Sequence, residues 1–125
     1  MEAAGLWCDD PTAAQAMYGH ISNWDTSRVT TMKNLFNGDT SWNGGKDNRE
    51  TFNEDISQWD VSAVTTMEYM FRGATAFNGD ISQWNVSAVT NMDDMFWGAS
   101  AFDCDISRWD VSAVTTMRAC RGMTK

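Results

Sequence analysis

At 125 residues the chain has the length of a single domain. Its 9 basic against 17 acidic side chains leave a formal net charge of −8. That balance argues against nucleic acid, whose binding needs a basic footprint, and against docking on an anionic membrane. No apolar run approaches the roughly 20 residues of a membrane-spanning helix.

The first residues, Met1-Glu2-Ala3-Ala4-Gly5, lack the basic region followed by an apolar stretch that marks a signal peptide. Residues 1–19 differ from everything after them and read as an N-terminal helical cap. Asp10 before Pro11 predicts a helix start, because an aspartate N-cap accepts a free backbone N–H and proline fits the first turn. Ala13, Ala14, Ala16, Met17 and Tyr18 then continue the helix, and Gly19 can end it. Leu6 and Trp7 are its expected core anchors.

Residues 20–125 repeat themselves. Asp55 to Met67 returns as Asp80 to Met92 and again as Asp105 to Met117, so Ile56, Ile81 and Ile106 step by 25. An earlier copy, Ile21 to Met32, precedes the next by 35 and leaves room for an insertion of ten residues. That insertion, at about 38–50, is polar and glycine-rich, carries Trp42 and should loop out. The fourth unit is truncated or forms a C-terminal cap after Met117. A fixed period in this range predicts a solenoid, whose units bury their faces only against neighbours.

Within each unit the expectation is a strand, a turn and a short helix. Trp59 and Val61 have the spacing of two expected of a strand. From Val64 through Met67, Met70, Phe71, Ala74 and Phe77 the spacing becomes three and four, the period of a helix with one buried stripe. Thr65 with Glu68, and Thr90 with Asp93, fit capping boxes. Gly38, Gly73 and Gly98 stand where such helices should stop.

Stacking turns the repeat into columns. Trp24, Trp59, Trp84 and Trp109 read as a packed aromatic ladder or a sugar-stacking platform, and each indole N–H needs a partner. Asp25, Asp60, Asn85 and Asp110 precede Ser27, Ser62, Ser87 and Ser112 by two residues. Such acids can bond the turn N–H, stay solvated or hold a cation. Asp55, Asp80 and Asp105 form a second acidic column, with His20 in its place in the first unit, and are the positions where calcium is conceivable. No other cofactor is expected, and nothing near His20 in sequence suggests a catalytic dyad. The pairs Thr30-Thr31, Thr65-Thr66 and Thr115-Thr116, with Thr90-Asn91, suit helix caps or an array matching an ordered surface. Trp97 and Trp42 break the repeat as exposed aromatics, fit for an interface or for packing on adjacent loops. Asn85-Val86-Ser87 is an N-glycosylation sequon. Cys8, Cys104 and Cys120 match no metal spacing, and their pairing stays open.

The recurring text, as in Phe77-Asn78-Gly79-Asp80-Ile81-Ser82-Gln83-Trp84-Asn85-Val86-Ser87-Ala88-Val89-Thr90-Asn91-Met92-Asp93-Asp94-Met95-Phe96, resembles the BspA-like leucine-rich-repeat surface proteins. The spacing of Ile56, Trp59 and Val61 is similar to that of leucine-rich repeats generally. The resemblance implies an α/β repeat solenoid: a right-handed superhelix with one short parallel strand and one short helix per turn, and a concave sheet. It also implies a cell-surface or secreted role in adhesion. The expectation is therefore a non-enzymatic extracellular binding module, monomeric or part of a longer repeat chain. Its protein or glycan ligand would meet Asp25, Asp60, Asn85 and Asp110 and their serines on the concave face. The alternatives are binding of ice or mineral through the Thr and Asp columns, and a structural spacer.

Overall fold

A computed structural model describes residues 2–39 and 49–118. Helix α1 spans Glu2–Asp9 and α2 spans Pro11–Tyr18. Asp10 caps α2 by accepting the Ala13 N–H at 3.1 Å, and the N–H of Gly19, at φ 78°, returns to the Gln15 carbonyl. Ala4, Trp7 and Ala14 are buried. The Trp7 ring meets His20 edge-on at 4.9 Å and Trp24 at 6.0 Å, which joins the helices to the first repeat.

The repeats do not form strands and helices. Beyond α2 the described residues hold only two short 3-10 turns, Ile21–Asn23 and Arg49–Thr51, and no sheet. Isolated parallel bridges join Thr31 to Thr66, Thr66 to Asn91 and Asn91 to Thr116. This corrects the expected α/β leucine-rich-repeat solenoid with a strand and a helix per turn, and with it the concave sheet.

The backbone hydrogen bonds give the reason. The N–H groups of Met67, Tyr69, Phe71 and Gly73 donate to the carbonyls of Asn91, Asp93, Met95 and Trp97, at 2.9, 3.0, 2.9 and 2.6 Å. In a helix the Phe71 N–H would instead return to the Met67 carbonyl. Here that carbonyl accepts from Met70 at 3.1 Å, in a tight turn. Each unit thus spends alternate N–H groups on the next unit and closes turns with others, so a helix cannot form. The preceding pair of units repeats the scheme from Met32 to Thr66, Asn34 to Glu68, Phe36 to Met70 and Gly38 to Arg72. Asn34, Tyr69 and Asp94, at φ 62°, 61° and 54°, take the left-handed conformation at the same position of each unit. Non-glycine residues accept that conformation at roughly 1–2 kcal/mol each.

The threonines do not cap helices either. The Thr65 hydroxyl and N–H both reach the Thr30 carbonyl, at 3.2 and 2.8 Å. Thr90 does the same to Thr65, and Thr115 to Thr90. The Glu68 N–H, assigned by its sequence to a capping box with Thr65, goes to the Thr66 hydroxyl.

Apolar side chains still converge where the spacing placed them. Ile56, Trp59, Val61, Val64, Met67, Met70, Phe71, Ala74 and Phe77 are all buried. Phe36, Phe71 and Phe96 stack at 5.7 and 5.8 Å, and Phe77 and Phe102 at 6.0 Å. Phe71 also lies on Phe77 within its own unit at 4.3 Å. Offset stacks of this kind add to the area they bury.

Candidate recognition surface

Two rows of polar turns lie along the repeats. In the first row, Asp25, Asp60 and Asp110 each accept the N–H of the serine two residues on at 3.0 Å and its hydroxyl at 2.6 Å. Asn85 makes the same pair of bonds with Ser87, at 3.1 and 2.7 Å. Those hydroxyl bonds, then the N–H bonds, hold the carboxyls of Asp25, Asp60 and Asp110 below their ordinary range. Asp25 pushes back on Asp60 as a like charge. The neutral Asn85 interrupts that series before Asp110. All eight of these side chains are exposed, and they sit in turns rather than on a sheet.

The second row begins each unit. Asp55, Asp80 and Asp105 accept the N–H groups of Ser57, Ser82 and Ser107 at 2.9, 3.0 and 2.9 Å. Serine hydrogen bonds again lower the carboxyls of Asp55 and Asp80. His20 imitates the aspartate it replaces, because its Nδ1 accepts the Ser22 N–H at 3.2 Å. That bond leaves the ring proton on Nε2, which faces the Glu54 carboxylate at 3.3 Å. Nothing in the isolated sequence announced this mimicry except the column position itself.

The second row lines a groove that crosses the units, while Asp25 of the first row borders a separate depression beside Tyr18 and Trp24. Glu54, Asp55, Asn78 and Asp80 border a surface depression of about 470 Å³. It shares Asn78, Gly79 and Asp80 with a depression of about 310 Å³ that reaches Cys104 and Asp105. The two therefore run together across three units. Among the described residues no basic side chain lines either part. Asparagines hold the floor in register: Asn53 Oδ1 accepts the Asn78 N–H, and Asn78 Oδ1 accepts the Asp103 N–H, both at 2.9 Å. The Cys104 thiol donates to Asp80 at 3.6 Å, and burial pushes its pKa up. Among the described residues no three His, Cys, Asp or Glu side chains converge as a metal ion requires.

Three of the four column tryptophans, Trp59, Trp84 and Trp109, belong to the interior, and Trp24 is partly buried. Indole N–H groups of Trp59, Trp84 and Trp109 donate to the carbonyls of Ile21, Ile56 and Ile81, at 2.8, 3.1 and 2.9 Å. Trp97 is half exposed, and one face carries the Arg72 guanidinium at 4.7 Å from the ring centroid. Arg72 also reaches Asp39 at 3.5 Å, so this aromatic holds two units together. Trp42 and Cys120 lie outside the described residues, as do most of the insertion and the chain after Arg118.

These features define a tandem-repeat protein whose units are joined by their own backbones and present ordered rows of acidic turns. The chain belongs to the family described as "Mycoplasma protein of unknown function, DUF285", whose model matches residues 12–124. No curated protein matches the chain. No solved structure matches it. Among the described residues no helix is long and apolar enough to cross a membrane.

Proposed function

We propose that this chain is a non-catalytic recognition module of the cell surface or extracellular space, binding a basic segment of a partner protein. The observation that carries this reading is the groove over Glu54, Asp55, Asp80 and Asp105, whose lining among the described residues includes acids but no basic group. Asp55 and Asp80 are fixed by their own serine turns, so little rotamer freedom is lost when a cation docks. Lys or Arg side chains spaced along an extended segment would complement the row and be steered to it.

The same electrostatics disfavour catalysis. A general acid or base works best with a pKa near the operating pH. Asp55 and Asp80 are shifted down and stay ionised, whereas the Cys104 thiol is shifted up, away from the reactive thiolate. The surface location draws on the resemblance of the repeat text to the BspA-like surface proteins.

Calorimetric titration with a lysine-rich peptide at low and high salt tests the reading. Binding should weaken several-fold in a variant combining Asp55→Asn with Asp80→Asn, and also with added salt. Asp60→Asn, in the other row, should leave it unchanged. Absence of binding, or equal weakening by both variants, sinks the proposal.

A further inference from the structure

Asn85 stands where the other three units carry Asp25, Asp60 and Asp110. It is the one asparagine of the chain with serine or threonine two positions on, and Val86 between them satisfies the exclusion of proline. The fold treats its two amide atoms differently. Both turn bonds, from the Ser87 N–H at 3.1 Å and the Ser87 hydroxyl at 2.7 Å, fall on Oδ1. An acceptor must face those two donors, which places Nδ2 on the other side of the amide. The side chain is exposed, and both bonds of the turn are made without Nδ2.

We propose that Asn85 is an N-glycan acceptor site in the folded protein, taking a sugar on Nδ2 while Oδ1 keeps the turn. The co-reactant is a diphosphate-activated sugar. Nδ2 forms a bond to the anomeric carbon, and the bond from that carbon to the diphosphate oxygen breaks. The diphosphate leaves with the electron pair, and Nδ2 releases one proton to solvent, so nothing is oxidised or reduced. The Ser87 hydroxyl fixes the amide plane before the reaction, which orients the nucleophile. Since aspartate, which has no Nδ2, makes the same turn in three units, loss or substitution of that atom leaves the turn standing. The site is in the first row, outside the acidic groove, and does not depend on what the groove binds.

The native protein is incubated with a soluble N-glycosyltransferase and UDP-glucose, then analysed by mass spectrometry and thermal melting. The expected result is one added hexose, localised to Asn85 within the tryptic peptide Gly73–Arg108. The melting temperature should stay within about 1 °C of the unmodified protein. Asn85→Asp should accept no hexose and melt like the parent. Modification of the heat-unfolded chain alone, of no chain at all, or with a fall of several degrees in melting temperature would overturn the proposal.

Discussion

The indole N–H of Trp84 donates to the carbonyl of Ile56, 3.1 Å away in the preceding repeat. The same bond joins Trp59 to Ile21 and Trp109 to Ile81, so one side-chain atom per unit fixes the register of the stack. Trp84 is buried and its ring stacks on Trp109 at 6.4 Å. Trp84→Phe keeps an aromatic ring but removes one of the two hydrogen bonds that the Ile56 carbonyl accepts, the other coming from the Trp59 N–H at 3.1 Å. The expected cost is about 0.5–1.5 kcal/mol, the net contribution of one hydrogen bond, read from urea denaturation. An unchanged midpoint would mean that the indole bond does not hold the register.

Two glycines at equivalent positions should respond differently to alanine. Gly73 and Gly98 share the left-handed conformation, at φ 68° and 74°. A Cβ on Gly73 would also come within 2.7 Å of the Asp39 backbone nitrogen, whereas the nearest atom to one on Gly98 is 3.5 Å away. Gly98→Ala should therefore lose roughly 1–2 kcal/mol through strain alone. Gly73→Ala should lose more, because backbone must move. Equal losses in chemical denaturation would remove the steric part of the argument.

Acid should weaken the fold through its serine-bonded carboxylates. Asp25, Asp60, Asp80 and Asp110 titrate below the ordinary value of 3.8 in the folded chain. The unfolded chain then binds protons first, so this stabilisation is complete above 3.8 and fades as pH falls through and below it. The melting temperature should be flat above about pH 5 and drop between about pH 4 and pH 2. Asp60→Asn should blunt the drop, since Asn85 shows that a neutral amide makes the same turn. A variant that falls as steeply as the parent would assign the acid response to other groups.

Calcium should leave stability unchanged. Asp55 and Asp80 already direct Oδ1 to their serines, and among the described residues no three potential ligands converge. Melting curves with excess calcium and with chelator are expected to overlay. A rise of several degrees with calcium would instead make Asp55, Asp80 and Asp105 a cation site, because a ligand of the folded state stabilises by mass action.

The candidate surface was half legible before the structure. Both acidic columns followed from the repeat, and aspartate two residues before serine suggested the turn bonds. Neither column revealed which one lines a groove. Asn53 and Glu54 directly precede Asp55, and Cys104 directly precedes Asp105, but that they line one groove follows only from successive units lying side by side. For His20 the column position was legible, but not that its ring nitrogen would take the hydrogen bond of an aspartate oxygen. For Trp97, exposure was legible, but the Arg72 guanidinium on its face was not.

The period of 25, the aspartate cap of α2 and the inward set from Ile56 to Phe77 follow from residue type and spacing alone. Those depend on side-chain chemistry that each unit carries alone. What the backbone does between those side chains depends on how the units pack against one another. A spacing of three and four states which side of the chain faces inward, and a run of tight turns satisfies it as well as a helix does. The choice turns on where the N–H groups of Met67, Tyr69, Phe71 and Gly73 find acceptors. Those acceptors, the carbonyls of Asn91, Asp93, Met95 and Trp97, belong to the next repeat and come within reach only when the units stack.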